Sequence, residues 1–224
     1  MSQTVILAGG YGSGKSEIAL NFVLQAKAAG RDMILADLDL VNPYFASRDI
    51  TEELKLRGIQ VTAPEGRFQF TDLPSVPKEM IGILQNDQDI LIDLAGDENG
   101  STVLGYLSRY VRLRTGYEHW MVVNPYRPFA ADLTEMKELV AGLELVGKIP
   151  FTGIISNPNL LEETNLEVIR QGHRRVEEYS QAFQLPICRL CVEKSFYEVL
   201  FPEYGSLLMP LNLYLRPGYL NSNG

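Results

Sequence analysis

Residues 9–16, Gly-Gly-Tyr-Gly-Ser-Gly-Lys-Ser, hold the densest chemistry in the chain. They match G-x-x-x-x-G-K-[ST] at each fixed position: Gly9, Gly14, Lys15 and Ser16. Glycines let a short backbone curl until successive N–H groups face one anion, which is what a phosphate requires. Lys15 is placed to reach the β- and γ-phosphates of a nucleotide, and the Ser16 hydroxyl to bind Mg2+. A helix starting directly after the loop adds unpaired N–H groups and the positive end of its dipole. The expected nucleotide contacts are therefore Gly9, Gly10, Tyr11, Gly12, Ser13, Gly14, Lys15, Ser16 and Glu17.

Acids at strand ends complete the set. Asp93 closes the apolar run Asp89-Ile90-Leu91-Ile92-Asp93. This is the Walker B form, an acid that holds Mg2+ directly or through water, although Asp also initiates turns. Asp93-Leu94-Ala95-Gly96 gives D-x-x-G, in which Gly96 would offer its N–H to a γ-phosphate and so sense nucleotide state. Asp37 and Asp39 end another apolar run and share one face of an extended chain. Such a pair suits metal-bound water and the orienting of an attacking water; it also suits a solvated strand end. Arg127, in Asn-Pro-Tyr-Arg-Pro, reads as a phosphate or partner contact, or as a surface arginine. Tyr44, Phe45, Phe68 and Phe70 fall in two long loops near the expected mouth, as a partner or substrate surface or as ordinary packing.

These groups need elements that bring them to one edge. Residues 4–8 read as a buried strand, and a helical pattern follows the glycine loop. Further strands are expected at 32–37, 60–62, 89–93, 119–124, 151–156 and 186–192. Helices are expected at 50–56, 78–84, 101–112, 130–145 and 163–183, with no firm assignment beyond 192. Alternating strands and helices imply βαβ units, right-handed crossovers and a mainly parallel sheet. Ligands then bind beyond the carboxyl ends of the strands, where the glycine loop, Asp37, Asp39, Asp93, Gly96, Asn124 and Asn157 all fall.

Composition narrows the partners. With 224 residues, 46% hydrophobic and 21% charged, one domain over 1–224 is expected, its segment 192–224 irregular. Lys plus Arg is 20 against 28 Asp plus Glu, a net charge of −8, so neither nucleic acid nor a membrane surface is expected as partner. The short basic groups Arg109, Arg112 and Arg114, and His173-Arg174-Arg175, read as solvated helix faces. No leader pattern or membrane-length apolar run stands out, and a cytoplasmic protein is expected. The two cysteines, Cys188 and Cys191, suit a reducing compartment. Three apart in a strand, they should point to opposite faces, buried and inert rather than sharing a metal.

Gly-Gly-Tyr-Gly-Ser-Gly-Lys-Ser, Ile-Leu-Ala-Asp-Leu-Asp and Ile-Leu-Ile-Asp-Leu-Ala-Gly together resemble the MinD/ParA (CobQ/CobB-type) branch of P-loop NTPases, of the SIMIBI class. The resemblance runs from Thr4 to about Val192. It implies a P-loop three-layer α/β sandwich, a mainly parallel sheet flanked by helices on both faces, with ATP and Mg2+ as ligands. The metal would fall to Ser16, Asp39 and Asp93, catalysis to Lys15, Asp37 and Asp39, and base reading to Asn157, which equally reads as a loop cap. The letters after Asn157 are Pro158-Asn159-Leu160, without the Lys and guanine-selecting Asp of related GTPases, which favours ATP. The family's second loop lysine, which crosses a homodimer interface, is replaced by Gly10, and its basic tail is absent.

The leading expectation is an Mg-dependent ATP-binding protein, an ATPase acting as a nucleotide-dependent switch on an unknown protein partner. The alternatives are a CobQ/CobB-type enzyme that uses ATP to activate or phosphorylate a small-molecule substrate, and a nucleotide-binding protein with negligible turnover. A homodimer stays open in each.

Overall fold

Strands of a sheet covered on both faces carry unbroken apolar runs rather than alternating ones. Val5, Ile6 and Leu7 are such a run, as are Ile90, Leu91 and Ile92, all fully buried. A computed structural model of the protein describes residues 3–39, 48–62, 78–96 and 98–215. Tyr44, Phe45, Phe68 and Phe70 lie outside the described residues. In chain order the elements are β1 (Thr4–Ala8), α1 (Lys15–Ala28), β2 (Met33–Leu38), α2 (Arg48–Leu56), β3 (Val61–Thr62) and α3 (Lys78–Gln85). They continue with β4 (Asp89–Leu94), α4 (Glu98–Val111), β5 (Glu118–Val123), α5 (Leu133–Gly147) and β6 (Gly153–Ser156). The chain then forms α6 (Leu166–Phe183), β7 (Ile187–Glu193), α7 (Lys194–Tyr204) and β8 (Leu208–Leu211).

The eight strands form one sheet in the order β3-β2-β4-β1-β5-β6-β7-β8, and every neighbouring pair is parallel. Right-handed crossovers fix which face each helix takes. The chain steps one way from β1 through β2 to β3, so α1 and α2 cover one face through Ile18, Ala19, Val23 and Leu54. It then steps the other way, and α3 to α6 cover the opposite face through Met80, Leu104, Met136 and Val176. β1 stands between β4 and β5, whose connections leave on the opposite face to its own, so the loop after β1 opens at the switch point of the sheet. Among the described residues, no helix is long and apolar enough to cross a membrane.

Two expectations are corrected. Residues 194–211 are regular, forming α7 and β8, although 192–224 reads as irregular in sequence. The prolines hide both elements. Pro202 lies near the end of α7, and Pro210 in β8, a strand on the sheet's edge, where a missing N–H is tolerated. The cysteines do not point to opposite faces. A register shift between Ile154 and Ile155 on the β6–β7 ladder changes the side-chain parity, and Cys188 and Cys191 both pack on the α1 side of the sheet. Burial pushes both thiols up, so both stay protonated.

The expected basic faces are also partly consumed by structure. Arg114 donates to the carbonyls of Leu84, Asn86 and Gln88, closing the end of α3, and Arg112 donates to the Lys148 carbonyl. His173 is buried, with Nδ1 3.0 Å from the Ser156 hydroxyl.

His119 is the other buried histidine, 1% exposed in β5 and stacked on Phe151 at 4.1 Å between ring centroids. Its Nδ1 faces only carbonyls, of Ile149 at 3.2 Å and Pro150 at 3.3 Å, so it carries the ring's proton. Burial lowers its pKa from 6.5 to about 4, against the two carbonyl contacts. The unfolded chain therefore binds more protons between those values, and the stability His119 confers is full above 6.5 and lost as pH falls toward 4. We expect urea unfolding of wild type to lose about 2 to 3 kcal/mol relative to His119→Gln between roughly pH 7.5 and pH 4.5. Parallel stability curves for the two proteins would contradict a neutral buried His119.

Candidate nucleotide site

The loop after β1 is held by an accounting of its carbonyls. Lys15, the first residue of α1 and itself buried, turns its Nζ back to donate to the carbonyls of Gly9 and Gly10, each at 3.1 Å. Arg127 Nε donates to the Gly12 carbonyl at 3.0 Å, and Asn157 Nδ2 to the Ser13 carbonyl at 2.7 Å. In a trans peptide the C=O and the following N–H point in opposite directions. Carbonyls drawn out at Gly12 and Ser13 therefore turn the N–H groups of Ser13 and Gly14 inward. Ser13 N–H meets the Gly10 carbonyl across the loop at 3.3 Å.

Glycine is demanded where the loop crowds its supports. Gly14 has φ +95°, and a Cβ there would lie 2.3 Å from Asn157 Nδ2. At Gly96 a Cβ would lie 2.8 Å from Tyr11 N and 2.9 Å from Lys15 Nζ. Gly96 is thus pressed directly against the loop.

A cavity of about 230 Å³ opens here, lined by Tyr11, Gly12, Gly14, Lys15, Ser16, Glu17, Asp39, Gly96 and Leu215. Asp37 and Asp93 are register partners on the parallel strands β2 and β4, so both acids project on the α1 side of the sheet. Both are 1% exposed. Of the expected pair, Asp39 lines the cavity and Asp37 does not; the Asp37 carboxylate accepts the Asp39 N–H at 3.0 Å and fixes its neighbour's backbone. Neither Asp93 oxygen meets a donor in hydrogen-bonding geometry. Burial raises the Asp93 pKa to about 6; the nearby Ser16 hydroxyl and Lys15 ammonium pull it down, and the Asp39 charge adds to the rise. A buried carboxylate without a donor, beside a serine hydroxyl, is the donor chemistry of a hard divalent cation. The inward N–H groups, Lys15 and the dipole of α1 fit a polyphosphate.

Three expected contacts are placed differently. Glu17 lines the cavity, but its carboxylate is engaged by residues 214–215, accepting the N–H groups of Tyr214 at 2.7 Å and Leu215 at 3.1 Å. Asn21 supports it, exchanging two hydrogen bonds of 2.8 Å with the Asn212 backbone. Asn157 is buried against the loop as a clamp and does not line the cavity. Gly10 is covered by Phe129, whose ring would lie 2.4 Å from a Cβ at that position. The sequence reading missed Leu215 and Phe129. Leu215 is 198 residues from Glu17, and no local pattern marks either residue.

No protein-family model matches the chain, and no curated protein matches it. Solved structures do. Cell division protein FtsY from Thermotoga maritima superposes with a TM-score of 0.56 at 17% identity, over 86% of this chain and 62% of that one. FlhF complexed with GTP and Mg2+ gives 0.51 at 13%, over 84% and 64%. A nucleotide-binding protein from Archaeoglobus fulgidus, in complex with ADP, gives 0.50 at 15%, over 88% and 84%. The chain spans less than two thirds of the FtsY and FlhF chains. At these identities the likeness establishes the fold alone, a P-loop three-layer α/β sandwich.

The tie between α1 and residues 212–215 is open to direct measurement. Glu17→Ala removes a charged acceptor from two backbone N–H groups, and we expect a loss of about 2 kcal/mol in urea unfolding. Amide exchange at Tyr214 and Leu215 should accelerate at least about tenfold with it. Unchanged protection at both amides would show that the segment is held by something else.

Proposed function

We propose that the chain is an Mg2+-dependent ATP-binding protein of MinD/ParA-like type, a cytoplasmic ATPase whose nucleotide state switches its contact with a protein partner. The observation that carries the reading is Lys15, buried on its own loop's carbonyls at the wall of a cavity shared with Ser16, Asp39 and Gly96. Phosphate oxygens are stronger acceptors for an ammonium than two peptide carbonyls are. Lys15 would pass from the loop to the phosphates, and the loop N–H groups would bind the same anion. Ser16, Asp39 and Asp93 would hold the metal, which when bound withdraws charge from the phosphate oxygens. Asp39, its backbone fixed by Asp37, is the acid placed to orient water. Gly96 would report the outcome, because it stands close against both Tyr11 and Lys15 of the loop.

ATP is favoured over GTP by Leu160, which stands three residues after Asn157, where a guanine-reading carboxylate would be needed. A leucine accepts no hydrogen bond. FlhF is described with GTP and the Archaeoglobus protein with ADP, so the fold itself is compatible with either base.

One observation favours a second reading, ATP-dependent activation of a small molecule. An open cleft of about 550 Å³ lies beside the nucleotide cavity and shares Gly96 with it. Phe129, Leu139 and Leu143 give it an apolar wall, and Glu135 and Glu138 an acidic rim. A substrate there would stand next to the loop that carries Lys15.

Calorimetric titration with ATP and with GTP, each with Mg2+, decides the base and the loop together. We expect ATP to bind and Lys15→Ala to weaken it at least about a hundredfold. Binding of GTP alone would overturn the adenine assignment, and equal binding by Lys15→Ala would overturn the site.

A further inference from the structure

We infer that Arg127 is a positioning residue of the glycine loop: its Nε–H, rather than its charge, fixes the Gly12–Ser13 peptide in the orientation that receives an anion. The inference deepens the nucleotide reading above and rests on it for the identity of the anion.

The turn that carries Arg127 is rigid on both sides. Beyond β5, Asn124 uses its whole amide, accepting from Tyr126 N–H at 3.1 Å and donating to the Asn159 carbonyl at 2.9 Å. Arg127 N–H closes on the Asn124 carbonyl at 3.1 Å, and the Arg127 carbonyl accepts from Ala130 N–H at 2.9 Å. The Tyr126 hydroxyl donates to the Val168 carbonyl of α6 at 2.5 Å. Gly172 of α6 is packed so tightly on Pro125, Tyr126 and Pro158 that a Cβ would lie 2.5 to 3.0 Å from them. The backbone of Arg127 is therefore set by the scaffold, and its side chain reaches out from a fixed point.

Its reach ends on the loop. Nε donates to the Gly12 carbonyl at 3.0 Å, and the guanidinium carbon lies 3.6 Å from where a Gly12 Cβ would stand. On one side of the peptide it holds stands Gly12, at φ +71° and with no side chain to resist a flip; on the other stands Ser13, whose N–H closes on the Gly10 carbonyl at 3.3 Å. A flipped Gly12–Ser13 peptide would present its carbonyl, in place of an N–H, to an incoming phosphate. Arg127 is not among the residues that line the cavity, and the contact it makes with the loop is the hydrogen bond of its Nε. An anchor accounts for that contact without a direct bond to the anion.

Side-chain chemistry separates the anchor from the charge. Glutamine sets its Nε2 after the same three carbons that precede Nε in arginine, so Arg127→Gln keeps the donor and loses the charge. Arg127→Lys keeps the charge and puts a methylene at the donor's position. Arg127→Ala loses both. The test titrates wild type and these variants with ADP plus Mg2+ and with inorganic pyrophosphate by calorimetry. It also measures Ser13 amide exchange in the ligand-free proteins, with Lys15→Ala as control.

We expect Arg127→Ala and Arg127→Lys to bind both probes about tenfold more weakly and to exchange Ser13 faster, with Arg127→Gln within about threefold of wild type in each. Wild-type affinity in Arg127→Lys would overturn the anchor in favour of charge, and wild-type affinity in Arg127→Ala would overturn any role. If wild type binds neither probe, the nucleotide reading fails, and Ser13 exchange still decides the anchor. Faster exchange in the Ala and Lys variants with rescue by Gln supports it, and equal exchange in all four overturns it.

Discussion

A loop that is to receive an anion must first dispose of its own carbonyl oxygens, because each carries partial negative charge where negative charge is to be bound. In this protein the carbonyls of Gly9, Gly10, Gly12 and Ser13 all have side-chain donors: Lys15 for the first two, Arg127 and Asn157 for the others. Two donors come from turns beyond neighbouring strands, β5 and β6, and the third from the helix that follows the loop. The cradle is thus a property of three elements brought together, although its letters are contiguous in the chain. Buried polar groups in a low dielectric are costly when unpaired and strong when paired, so such an arrangement holds one shape firmly.

The parallel sheet supplies the coincidence. All eight strands run the same way, so their carboxyl ends meet at one edge and each polar residue just past a strand is delivered there. Asp37 and Asp93 illustrate the cost. They stand side by side in register and are almost wholly buried, and Asp93 has its pKa raised by that burial. A carboxylate left without donors in a protein interior works against stability. Lys15 and the Ser16 hydroxyl offset it in part, and a bound cation would offset it further.

Around the loop, packing has replaced what the family resemblance would place there. The ring of Phe129 fills the space over Gly10, so no side chain fits at that position unless the ring moves. The same turn presents Arg127 to Gly12, so the loop is braced by its own chain at both residues. On the other flank, Glu17 and Asn21 bind the backbone of residues 212–215 and place Leu215 at the cavity wall. The face of α1 next to the loop is therefore committed to the far end of the chain.

By itself the sequence determined the strand, loop and helix at 4–24, the parallel α/β class, and the placing of Lys15, Ser16, Asp39, Asp93 and Gly96 at one edge. Those features are local: apolar periodicity, glycine spacing and an acid at the end of a strand are each written within a few residues. Only the tertiary structure decided what Glu17, Asn157, Phe129, Arg127 and Leu215 touch. Their partners are distant in the chain, and a polar side chain's spacing does not say which backbone group it will meet. Two further differences have the same origin. Pro202 and Pro210 read as breakers, yet Pro202 forfeits a single helix bond in the last turn of α7 and Pro210 stands on an edge strand, where a missing N–H is tolerated. The shift on the β6–β7 ladder then turned Cys188 and Cys191 to one face, because alternation along a strand holds only while its register does.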